Sequence, residues 1–131
     1  MMAPTMADDE RLALLLFRAE GLDPDALGDD DRGRANFQRF VDWAAELDRR
    51  GKLVAVDPLV RGGKTVRRRG AAIVVDGPYA EGREAVLGYY IVRVRDLDEA
   101  VALAAESPHT DLGGATEVRL IAAFPRPPGI R

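Results

Sequence analysis

The sequence predicts an α+β domain in which two helices cover one face of a mostly antiparallel sheet. Three observations predict it. Segments of strand pattern and helix pattern follow one another in the order strand, helix, strands, strand, helix, strand. The run from Val86 to Val94 is apolar on both faces, as a central strand would be. The chain has 131 residues, the size of one domain with one core.

Residues 1–10 form a polar tail, and Arg11 to Phe17 reads as a buried strand. A loop rich in Gly, Pro and Asp runs from Glu20 to Asp31. From Arg32 to Arg50, Phe37, Phe40, Val41, Trp43, Ala44 and Leu47 recur at three- and four-residue steps. Asp29 to Asp31 stand in front, Arg49 and Arg50 behind, and Gly51 is the stop: a helix with one face on a sheet.

Leu53 to Val56 is a short strand stopped by Pro58. Lys64 to Arg68 and Ala71 to Val75 read as a hairpin turning near Arg69 and Gly70. In the strand from Val86 to Val94, Tyr90, Val92 and Val94 share one face and Tyr89 and Ile91 the other. Asp96 with Glu99 has capping-box spacing. It opens a helix with Leu97, Val101 and Ala104 inward that ends before Pro108. Ala115 to Phe124 is the last strand. The domain therefore spans 11–124, and residues 125–131 (PRPPGIR) form an extended, Pro-rich tail. Because both helices take one face, the other is bare, and a homodimer is expected to cover Tyr89 and Ile91.

Composition excludes several classes. Without cysteine there is no disulfide, thiolate nucleophile or zinc–thiolate site, and a cytoplasmic location is the expectation. The formal charge of −3 gives no broad attraction to nucleic acid or anionic lipid; Arg67, Arg68 and Arg69 read as decoration of an exposed hairpin. The early apolar run from Leu12 to Phe17 follows acidic residues and is too short for a signal core or membrane span. Neither a cofactor nor a metal is expected.

Motifs that imitate known sites fail on their own terms. Arg61-Gly62-Gly63-Lys64-Thr65 ends like a phosphate-binding loop, but Pro58 stands where its first glycine belongs and a strand, not a helix, follows. Asp23 to Gly28 begins like a calcium loop, yet Leu27 and Arg34 occupy its fifth and twelfth positions; the acidic run reads instead as the first helix's cap. The single serine, Ser107, and single histidine, His109, flank Pro108 too rigidly for a hydrolytic triad. Carboxylates, His109 and tyrosines remain. His109 falls in a loop on this reading, as a weaker catalytic candidate whose unperturbed pKa lies near neutrality. Asp76 admits two readings: a cap on the Gly77-Pro78 turn, or a carboxylate held in a cleft as base or anchor.

The run Asp76-Gly77-Pro78-Tyr79-Ala80-Glu81, then Arg83-Glu84, Gly88-Tyr89-Tyr90, the Asp-Leu-Asp-Glu-Ala helix start and Glu117-Val118-Arg119 resemble the DGPF subgroup of the YCII-related family. The resemblance extends from about Leu12 to Phe124. It implies a ferredoxin-like fold paired as a dimeric α+β barrel but no settled activity; the leading expectation is a small-molecule-binding or catalytic dimer of unknown substrate, with acid–base chemistry at a cleft near Asp76. The alternative is a non-catalytic regulatory or protein-interaction module, since DGPF members are often encoded beside extracytoplasmic-function sigma factors. Tyr79, Glu81, Tyr90 and Arg119 are the binding candidates, Arg119 being equally able to pair with Glu117 or Glu81. The chain departs from the family pattern at Tyr79, Gly82 and Leu87, and lacks the first-helix histidine that enzymatic relatives pair with Asp.

Overall fold

A computed structural model describes residues 10–60, 62–76, 86–122 and 128–129. Its elements are β1 (Arg11–Arg18), α1 (Asp31–Arg49), β2 (Leu53–Pro58), β3 (Thr65–Arg69), β4 (Ala72–Asp76), β5 (Val86–Val94), α2 (Leu97–Glu106), α3 (Pro108–Asp111) and β6 (Ala115–Leu120). Four strands form one sheet in the order β2-β5-β1-β6, with every neighbouring pair antiparallel. Each long helix thus joins two parallel strands that have a third between them. That split arrangement is the ferredoxin-like α+β fold. β3 and β4 make a separate two-stranded sheet.

Strand alternation sorts the side chains. Ala13, Leu15 and Phe17 of β1 and Tyr90, Val92 and Val94 of β5 are buried, whereas Leu12, Leu14, Leu16, Tyr89 and Ile91 are half-buried on the opposite, open face. Trp43 and Leu47 of α1 and Ala100, Leu103 and Ala104 of α2 complete the core, with Phe40, Ala44, Val56 and Val118 packed against it. Asp30 caps α1 by accepting from the Gly33 amide at 2.8 Å, as the acidic run predicts.

Several expectations are corrected. Phe37 and Val41 lie on the flank of α1, about half exposed, rather than in the core. Leu97 and Val101 face outward. The inward line of α2 runs through Ala100, Leu103 and Ala104, because the helix is pinned by Asp96, which accepts from the Glu99 amide, and by Glu99. The Glu99 carboxylate takes the amide of Arg95 at 2.8 Å, one residue earlier than a capping box would have it, and the Lys52 ammonium at 2.6 Å. β6 ends at Leu120, short of Phe124. The segment after α2 is not a loop: Ser107 caps α3 by accepting from the Thr110 amide, and Pro108 sits in its first turn.

Gly88 is buried where β5 crosses β2, and a Cβ there would lie 3.0 Å from the Asp57 carbonyl oxygen and 3.1 Å from Pro58 Cα. Both are backbone atoms of a paired strand, which cannot rotate aside. Gly88→Val is expected to lower stability by about 1–3 kcal/mol, read as a drop in thermal midpoint; an unchanged midpoint would contradict this packing.

The Lys52 bond, then the Arg95 amide, hold the Glu99 carboxyl at about 2, below its ordinary 4.5. A depressed carboxyl contributes stability that is fully present above about pH 4.5 and is lost as pH falls through about 2. Glu99→Gln should therefore cost about 1 kcal/mol at neutral pH and flatten the acid side of the stability profile, measured by urea denaturation at several pH values.

Candidate functional site

Where β1 ends and β5 begins, the pairing register slips between Phe17 and Arg18. Bulges of this kind open a sheet locally. The opening is flanked by α1 and by the end of β2, and encloses a cavity of about 290 Å³. Its wall is mostly apolar: Phe17 from β1, Phe37, Phe40, Val41 and Ala44 from α1, Val56 and Pro58 from β2, Leu87 and Gly88 from β5, and Leu27 from the acidic loop. Aromatic rings pack tightly here, Phe17 lying 5.7 Å from Phe40 and 5.2 Å from Tyr90 between centroids.

Four polar residues reach the wall. His109 is 1% exposed, stacks on Phe17 at 4.9 Å and 23°, and approaches the Arg18 carbonyl oxygen with Nε2 at 2.7 Å. A carbonyl only accepts, so Nε2 carries the proton and donates it. Burial pushes the imidazole below its ordinary 6.5, the Arg18 and Ala115 backbone contacts pulling the other way. The ring is thus a neutral Nε2–H tautomer, and any proton it takes from a ligand must go to Nδ1. Tyr90 donates its hydroxyl to the Phe40 carbonyl at 2.9 Å, and burial pushes its phenol up to about 12, so it serves as a fixed donor rather than a base. At the rim, Tyr89 donates to the Asp57 carboxylate at 3.1 Å, which raises the Tyr89 phenol.

The sequence candidates scatter. His109 belongs to the cavity wall and is buried, not on a surface loop; it is held there because α3 turns back onto β1. Tyr90 also lines the cavity, beside it. Asp76 ends β4 in the separate hairpin, more than half exposed, 3.7 Å from the Arg67 guanidinium, and is not part of the wall. Tyr79, Glu81 and the Gly77-Pro78 turn lie outside the described residues. Arg119 is exposed on β6 and donates to Glu117 at 3.1 Å, whose other oxygen takes Arg18 at 2.6 Å. Ser107 bonds Thr110 and not His109. Sequence reasoning missed Phe37, Phe40, Val56 and Asp57 as wall residues. The signal was present in α1, whose apolar stripe is wider than one sheet face needs.

The YCII-related domain model matches residues 17–125, and the chain belongs to that family. It is similar to an uncharacterized protein of Rhizobium meliloti (strain 1021), 31% identical over 80 residues, which are 60% of this chain. The match spans 64% of that relative's length.

Gly114 lets the imidazole sit where it does: a Cβ at that position would come within 2.2 Å of Nε2. Gly114→Ala is expected to displace the ring, lower the thermal midpoint and move the titration of the only histidine up toward 6.5. Proton NMR of wild type and variant reads it directly. A wild-type ring that titrates at or above 6.5 would contradict the buried neutral tautomer.

Proposed function

We propose that this protein is a DGPF-type member of the YCII-related family that binds a small, largely apolar molecule in the cavity between α1 and the β1–β5 bulge, and that it acts as a dimer through its open sheet face. The observation that carries the reading is a 290 Å³ space walled by aromatic rings with one neutral imidazole among them. Such a volume suits a ligand of up to about three rings, and a wall of this kind rewards apolar contact while a few polar groups set orientation.

The geometry favours binding over carboxylate catalysis. Asp57 is already engaged by Tyr89, and Asp76 stands with Arg67 on the hairpin. Proton transfer, if the bound molecule undergoes any, falls to His109 Nδ1. The half-buried row of Leu14, Leu16, Tyr89 and Ile91 supports the dimer, since covering each side chain contributes on the order of 1–2 kcal/mol.

The neutral dye N-phenyl-1-naphthylamine tests the pocket. Saturable uptake with a fluorescence rise is expected for the wild type, and at least about a tenfold weaker affinity for Ala44→Phe, whose ring fills the space. Asp76→Asn should bind as the wild type does. Equal uptake by Ala44→Phe would remove the cavity from consideration; loss in Asp76→Asn would restore the carboxylate as the working group.

A further inference from the structure

The β3–β4 hairpin stands apart from the domain. Its strands pack on each other and on no other element to any extent among the described residues. Five-residue strands in an isolated pair are marginal in water unless one face is covered. The register places Val66 opposite Val75 and Arg68 opposite Ile73, so these four side chains share a face. Val66, Val75 and Ile73 are 64%, 57% and 53% exposed. Among the described residues no element covers that face; Arg68 lies on it, while Arg67, paired with Asp76, and Arg69 project from the opposite face.

A matching surface exists on the same chain. At the cavity mouth, Leu27, Phe37 and Val41 expose apolar surface, and the loop beside them is acidic. Residues 23–34 carry five aspartates against two arginines, whereas residues 64–76 carry one lysine and three arginines against one aspartate. The two regions therefore have net charges of equal size and opposite sign, each beside exposed apolar side chains. Among the described residues each region has ion pairs of its own, Asp23 with Arg32 and Asp31 with Arg34 in the first and Asp76 with Arg67 in the second.

Their connection favours a second copy as the occupant. The arm springs from the cavity rim, where the Leu59 amide donates to the Leu87 carbonyl at 2.9 Å. The five-residue strand β3 gives the arm a length of about 17 Å. A twofold axis beside the rim sets each arm against the other chain's rim, making the contact reciprocal. Rim residues Asp57 and Tyr89 also belong to the open sheet face, so such a contact would be continuous with a dimer formed there.

We infer that the β3–β4 arm of one copy lies across the cavity mouth of a second, with Val66, Ile73 and Val75 against Leu27, Phe37 and Val41, Arg68 of the same face toward the acidic loop, and Arg67 and Arg69 adding positive charge from the arm's other face. Each copy then completes the other's binding site. The inference rests on the cavity being a ligand site, because the arm is read as its cover.

The absence of cysteine makes the test clean. Ile73→Cys and Leu27→Cys are prepared as separate full-length variants, mixed in equal amounts and oxidised with diamide. The expected product is a covalent pair joined between positions 27 and 73, in about tenfold excess over the like-with-like pairs. Replacing Arg67, Arg68 and Arg69 by Glu on the arm-bearing variant should reduce that product severalfold. Replacing Asp25, Asp29 and Asp31 by Lys on its partner should restore it.

No 27–73 product, like-with-like products alone, or a 27–73 bond closed within one chain of the doubly substituted protein would each overturn the inference. The naphthylamine dye is measured on the unoxidised samples. Dye uptake without cross-linking removes the arm and leaves the cavity reading standing; cross-linking without dye uptake leaves the arm contact and removes the cavity as a ligand site.

Discussion

β1 and β5 pair antiparallel along their whole length, and the two faces of that pair divide the molecule. On one side Ala13, Leu15, Phe17, Tyr90, Val92 and Val94 receive α1, α2 and α3. On the other side Leu14, Leu16, Tyr89 and Ile91 form a half-covered row. A slip of one residue would exchange these sets and leave the helices facing the wrong surface. The register is consequently fixed by burial, and the bulge at Phe17 and Arg18 is tolerated only at the end of the pair. There the Arg18 carbonyl accepts from the His109 imidazole. The cavity is a consequence of where that pairing stops.

Much of the fold was legible because strand alternation and helix period are strong local signals. Val86 to Val94 emerged as the central strand with both faces assigned correctly, and the Asp30 and Asp96 caps followed from acidic residues ahead of periodic runs. What local pattern does not specify is the rotation of a helix about its axis. Leu97 and Val101 have the spacing of an inward face, but the Glu99 bonds to Lys52 and Arg95, with small Ala100 and Ala104 against the sheet, turn that face outward.

The site was less legible for the same reason. His109 follows proline after a helix end, which locally resembles a loop. Its burial depends on contacts with Phe17 and Arg18, 92 and 91 residues earlier in the chain. The wall residues were visible in the sequence only as core candidates, because an aromatic lining a cavity and one filling a core share a composition. Asp76 attracted attention through its motif, and its surroundings in the hairpin are an exposed ion pair with Arg67.

The sheet order also bears on how the chain assembles. β1 comes early in the sequence, yet its two neighbours, β5 and β6, come late, and β6 is the last strand among the described residues. During synthesis from the N-terminus, the Leu-rich strand Arg11–Arg18 emerges long before either partner, with both edges unpaired and both faces apolar. Pairings so distant in sequence are slow to form. Until Ala115–Leu120 is available, β1 has the character of an exposed edge strand, the species most prone to join other chains. The strand that organises the finished domain is thus also its most vulnerable segment before the domain is complete.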